Sequence, residues 1–146
     1  MMTLPTLVSA AAKARRFYAA AAIAVVVAGF PLHASAETMV FEPDFLEIGP
    51  GDRVRFVPTH KSHNAATIDG MVPEGVEGFK SRINDEFETG FEKPGFYGIK
   101  CSPHYGMGMV MLIKVGEAAL PQSYREVEVP GRAKTRLDDL FEQAGK

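Results

Sequence analysis

Between residues 45 and 115, apolar and polar positions alternate in short runs broken by Gly, Pro and Asn. Side chains that switch faces at every residue mark half-buried strands. Phe45-Leu46-Glu47-Ile48 predicts one strand, closed by Gly49-Pro50-Gly51-Asp52. In Arg53–Val57, Val54 and Phe56 share one face, Arg53 and Arg55 the other, and Pro58 ends the run. Glu86–Phe91 repeats the pattern with Phe87, Thr89 and Phe91 inward, and Lys93-Pro94-Gly95 turns the chain into Phe96–Lys100. Val110–Val115 is a nearly continuous apolar strand. Short strands, tight turns and one core predict a mainly-β sandwich.

After Gly116 the period changes. Ala133, Leu137, Leu140, Phe141 and Ala144 fall on one face at helical spacing, so a helix is expected over Arg132–Ala144, capped by Gly145. Ala118–Arg125 is a weaker candidate for a second short helix because it contains Pro121. The mixed charge of the polar face argues against a membrane-surface helix, so the tail is expected to pack outside the sandwich. Gly70–Asn84 reads as a long irregular connection with one helical turn at Val76–Phe79.

The amino-terminal segment breaks from this pattern. Lys13, Arg15 and Arg16 precede an apolar run from Phe17 to Leu32, and Ala34-Ser35-Ala36 is a small-residue cleavage signal. This is the arrangement of a secretory signal peptide, with cleavage expected after Ala36. The expected organisation is residues 1–36 as signal, 37–116 as sandwich and 117–146 as helical tail. Losing residues 1–36 would remove three of the 16 Lys+Arg and none of the 18 Asp+Glu, leaving a net charge of −5. That balance argues against non-specific nucleic-acid binding. No membrane attachment is expected after cleavage.

Export sharpens the meaning of the single cysteine. Cys101 has no partner within the chain for a disulfide. A free thiol is a liability in an oxidising compartment, so metal ligation is the leading role for it. It opens the run Cys101-Ser102-Pro103-His104-Tyr105-Gly106-Met107-Gly108-Met109, spaced C-x2-H-x4-M, while Ser62-His63-Asn64 supplies a second imidazole. Two His, one Cys and a weak axial Met form the donor set of a type 1 (blue) copper centre. Thiolate and thioether favour Cu(I), and imidazole tolerates both oxidation states. His63, Cys101, His104 and Met109 are therefore the candidate metal ligands.

Met107 is a rival axial donor, in a shorter C-x2-H-x2-M loop. Met109 is preferred because it leads directly into the Val110 strand. The Asn64 amide is placed to tie the His63 loop to the Ser102 backbone or hydroxyl. Pro103 removes an N–H donor near the sulfur and stiffens the loop. His60 and His63 make a His-x2-His pair, but His60 is expected to be a solvated loop residue, and His33 falls within the signal segment.

Met39–Pro43, Pro50-Gly51-Asp52, Lys61–Asn64, Gly70–Gly75 and Lys100–Met109 together resemble the pseudoazurins. The resemblance covers nearly all of residues 39–116, and the helical tail agrees with it, whereas plastocyanins end with the strand after their Met. It implies a cupredoxin-like Greek-key β-sandwich with a C-terminal extension of two helices, and one copper ion held by His63, Cys101, His104 and Met109. It also implies that Met39 packs near His104, and that the protein is a monomeric periplasmic carrier rather than an enzyme. Such a carrier passes single electrons to denitrification enzymes such as copper nitrite reductase. Docking is implied through an apolar patch of Pro103, Tyr105 and Met107 around His104, ringed by Lys61, Lys80 and Lys100 with Arg82 nearby. One departure concerns the family's first strand, which precedes the segment matching Met39; here the expected cleavage point almost abuts Met39, so that strand is either missing or replaced by residues near Pro31–Thr38.

Two other readings share the ligands: a plastocyanin-like carrier with another redox partner, and a periplasmic copper-binding chaperone. The chaperone would draw its soft donors from open Met-rich or His-rich segments. A hydrolase with Cys101 as nucleophile and His104 or His63 as base would need an oxyanion motif and an orienting acid, and none stands out.

Overall fold

The predicted alternation becomes two sheets in a computed structural model of the chain, which describes residues 39–146. The strands are β1 (Phe45–Ile48), β2 (Asp52–Phe56), β3 (Ala66–Thr67), β4 (Phe87–Phe91), β5 (Gly95–Lys100) and β6 (Val110–Val115). One sheet runs β1-β6-β5-β3 and the other pairs β2 with β4. β1 lies parallel to β6, and the other pairings are antiparallel. The cleavage signal, the apolar run before it and the Pro31–Thr38 segment lie outside the described residues.

β6 is apolar at almost every position because both of its faces are covered. Met111, Ile113 and Val115 join Phe91, Tyr97 and Ile99 in a core that takes up Val54 and Phe56 of β2. Val110 and Leu112 point the other way, into a second core with Phe96, Ala133, Leu137, Leu140 and Phe141. That second core belongs to α1 (Gly131–Ala144), whose buried residues match the predicted apolar face. Arg136 of α1 also binds Asp44 beside β1, with Nη2 2.8 Å from Oδ2. On the outer face of the β2–β4 sheet, Arg53 pairs with Glu88 at 2.6 Å and Arg55 with Glu86. Both pairs are exposed and add little to stability.

Two expectations require correction. No helical turn forms at Val76–Phe79. Phe79 instead donates its N–H to the Thr67 hydroxyl and accepts the Thr67 N–H, at 3.1 and 2.9 Å. Its backbone is thus spent extending the edge of β3, with an isolated bridge between Ala66 and Lys80. In the tail, only α1 is an α-helix among the described residues; the candidate second helix is a 3-10 turn over Gln122–Glu126, starting after Pro121.

That turn inserts Tyr124 beneath the sheet. Gly98 uses its N–H and C=O on Met71 and Ile68 at the side of β5 away from β6. Alternation points the Phe96 carbonyl to the same side, and the Tyr124 hydroxyl donates to it at 2.8 Å. Burial, with a smaller contribution from Tyr97, pushes the Tyr124 pKa up to about 12. The unfolded chain loses this proton first, near pH 10. Stability should therefore be level below about pH 10 and fall as pH rises toward 12. Tyr97 and Tyr105 are also raised, chiefly by burial, and act in the same direction. Tyr124→Phe leaves the Phe96 carbonyl unpaired and should cost about 1–3 kcal/mol. Urea unfolding from pH 8 to 11.5 checks both effects: the variant should start lower and show a shallower alkaline decline.

Candidate metal centre

Three chain segments meet at one end of the sandwich. Cys101 follows β5 directly and is fully buried. Its N–H donates to the Met109 carbonyl at 3.0 Å, joining the two ends of the loop that links β5 to β6. Within the loop, Ser102–Met107 form a kinked 3-10 helix with Pro103 at its start. The His104 N–H donates to the Cys101 carbonyl at 3.1 Å, and the Met109 N–H to the His104 carbonyl at 3.2 Å. Gly108 closes the helix at φ 87°. A Cβ there would lie 3.1 Å from the Arg132 carbonyl oxygen of α1, so the loop needs glycine both for its backbone and for its approach to the helix.

His63 comes from the loop between β2 and β3. Its Nδ1 lies 3.6 Å from Cys101 Sγ and 3.1 Å from His104 Nδ1, and His104 Nδ1 lies 3.5 Å from the same sulfur. A neutral imidazole nitrogen either donates or accepts, so three such contacts cannot all be good hydrogen bonds. They do suit a shared ion. With metal–N distances of about 2.0–2.1 Å and metal–S distances near 2.3 Å, donors about 120° apart lie about 3.5–3.8 Å from one another. The two nitrogen-to-sulfur spacings of 3.6 and 3.5 Å fall in that range, and the 3.1 Å between the imidazole nitrogens is closer, as for an N–metal–N angle of about 100°. The set is two imidazoles and a thiolate, which suits copper better than a hard cation such as Mg2+ or Ca2+. No other cluster of three or more His, Cys, Asp or Glu in metal-holding geometry occurs among the described residues.

The two methionine candidates occupy different surroundings. Met109 is buried and backbone-bonded to Cys101 and His104. Met107 is 50% exposed and lines a shallow groove with Met39, Val40, Gly108 and Arg132. His60 is exposed and meets the Thr59 hydroxyl through Nδ1 at 3.1 Å.

Asn64 makes the connection expected from its position. Its Oδ1 accepts the Ser102 N–H at 2.7 Å, and its Nδ2 reaches the Ser102 hydroxyl at 3.3 Å and the Ser81 carbonyl at 3.2 Å. The Ser102 N–H is thereby turned away from the sulfur, and Pro103 has none to offer. Ser81 is a residue that the sequence reading missed. It is buried, its Oγ accepts the Ala65 N–H at 3.0 Å, and its own N–H donates to the Ala65 carbonyl at 2.8 Å. No local signal marks it, because its partners lie 16 and 17 positions away in the chain.

Residues 28–116 match the model of the copper-binding plastocyanin/azurin family. A putative pseudoazurin of Rhizobium leguminosarum bv. viciae is 50% identical over 101 residues, covering 68% of this chain and 66% of its own. The Paracoccus pantotrophus pseudoazurin is 48% identical over 103 residues, covering 68% of this chain and 70% of its own. This chain thus spans about two thirds of the length of both relatives. The crystal structure of pseudoazurin from Methylobacterium extorquens AM1 superposes with a TM-score of 0.68 at 41% identity, covering 72% of this chain and 86% of that one.

Proposed function

Since this chain belongs to the copper-binding plastocyanin/azurin family, and within it to the pseudoazurin-type cupredoxins, we propose that it is a monomeric periplasmic carrier of single electrons. Its ligands are His63, Cys101, His104 and Met109. The observation that carries this reading is the convergence of His63, Cys101 and His104 with spacings of 3.1–3.6 Å. Copper, when bound, supplies the redox couple between Cu(I) and Cu(II). The protein's part is to hold the donors still. Cys101 and Met109 are joined by a backbone hydrogen bond, and Asn64 ties the His63 loop to the residue after Cys101. A site that need not rearrange between oxidation states loses and gains an electron with little reorganisation. No substrate bond is made or broken, so the role is electron transfer rather than catalysis.

The partner is an electron-accepting enzyme of denitrification, such as copper nitrite reductase. The surface around His104 supports this reading. Exposed Pro103 and Met107 with half-buried Tyr105 provide an apolar centre. Lys80 and Lys100 line a shallow groove with Tyr105, and Lys100 Nζ sits 4.9 Å from the centre of that ring. Lys61 and Arg82 are exposed near the other ligand loop. A small apolar face with a charged rim favours brief, electrostatically steered encounters. No helix among the described residues is long and apolar enough to cross a membrane.

The direct test is to titrate the metal-free protein with Cu(II) and record its visible spectrum. An intense thiolate-to-copper band at one equivalent, bleached by reductant, is the expected result. Absence of the band in protein that is folded by circular dichroism overturns the site. The docking face is checked separately. Lys80→Glu and Lys100→Glu should each slow reduction of a copper nitrite reductase, by roughly tenfold at low ionic strength and less at high salt. Unchanged rates in stopped-flow mixing would remove the lysines from the interface.

A further inference from the structure

On the reading that His63 is a copper ligand, we propose that Asn84 is a positioning residue that holds the backbone on either side of the His63 amide, a second anchor beside Asn64. Three observations converge on it. Its backbone N–H donates to the His63 carbonyl at 2.8 Å. Its side-chain Oδ1 accepts the N–H of Ser62, immediately before His63. Asn84 and Ser62 are also the two non-glycine residues with positive φ among the described residues, at 70° and 73°.

The need for such a clamp follows from the topology. β3 begins only at Ala66, so Ser62 and His63 lie outside the sheet ladder. The connection running from Ser81 to Asn84 takes that place. Ser81 pairs with Ala65, and Asn84 pairs with His63 and Ser62. At its far end the backbone has turned away, and the Asn84 side-chain carbonyl supplies the missing acceptor. Asparagine suits the position because it visits the left-handed region more readily than other non-glycine residues. Two strained residues meeting in one hydrogen bond beside a ligand make a point of positional control.

Asn64 therefore fixes the segment after His63 against the Cys101 loop, while Asn84 fixes the peptides on either side of the His63 amide from the β4 side. The two anchors act on different peptides, so losing one leaves the other intact. Removing the Asn84 acceptor frees the Ser62 peptide and lets the His63 ring tilt without displacing Cys101 or His104.

The test uses Asn84→Gly, which keeps the left-handed backbone but removes Oδ1, and Asn84→Asp, which keeps an acceptor there. Two readouts are taken on the full-length protein: amide hydrogen exchange at Ser62 in the metal-free form, and visible spectrum with reduction potential in the copper form. Asn84→Gly is expected to speed Ser62 exchange roughly tenfold. It should also change the relative intensities of the charge-transfer bands and shift the potential, and Asn84→Asp should restore both readouts. If Ser62 stays protected in Asn84→Gly, the clamp does not exist. If exchange rises while spectrum and potential match the parent, Asn84 orders the loop without positioning the ligand. His63→Ala separates failure of the underlying site: an unaltered copper spectrum in that variant means that His63 is not a ligand at all.

Discussion

Cys101→Ser should abolish the intense visible band of the copper form while leaving the fold intact. Serine matches cysteine in size, but its hydroxyl stays protonated near neutral pH and is a hard donor. Neither thiolate-to-copper charge transfer nor the soft preference for Cu(I) survives the change. The fold should tolerate it, because the new hydroxyl falls beside two imidazole nitrogens now 3.5–3.6 Å from the sulfur. Circular dichroism and urea unfolding should therefore resemble the parent within about 1 kcal/mol. Met109→Leu is the paired control. It conserves volume at a buried position, so the band should remain while the reduction potential moves. Met107→Leu, at an exposed position, should change neither. A surviving band in Cys101→Ser would overturn the copper assignment of this sulfur, and a shift with Met107→Leu alone would exchange the two methionines.

The second large effect is expected far from the metal. Leu137→Ala should destabilise the protein by about 2–5 kcal/mol and lower its Tm by on the order of 10 °C. Leu137 is 1% exposed and packs with Val110 and Leu112 of β6 as well as Leu140 and Phe141 of α1. Truncation opens a cavity between helix and sheet that neither can close alone. The consequence should reach the site, because the first turn of α1 abuts Gly108 in the ligand loop. Copper release to a chelator should accelerate in parallel with the loss of stability. A cost below about 1 kcal/mol in urea unfolding would mean that α1 is an appendage and not part of the core.

β2, β4, β5 and β6 were readable to within a residue or two at their ends, because period-two alternation or a double-sided apolar run is written into consecutive positions. α1 was readable for the same reason at a different period. β3 was not, since it has two residues and is defined by its pairing with the distant Ile99 and Lys100. The turn expected at Val76–Phe79 failed because Thr67, 12 positions away, claims the backbone of Phe79. Asn64 was legible from its place beside His63, but Ser81 and Asn84 were not, since each acts on residues 16 or more positions earlier.

By itself, then, the sequence determined whatever depends on neighbours in the chain: the strand faces, the α1 face, and the Cys101–Met109 loop with its donors at set spacing. Only the tertiary structure decided that His63, 38 positions before Cys101, brings its Nδ1 to the same point. The tertiary structure alone also left Met107 exposed and buried Met109. Spacing limits which donors one loop can offer. Whether donors from separate loops share a site depends on how the sheets pack and on which backbone groups remain to be satisfied where a strand ends.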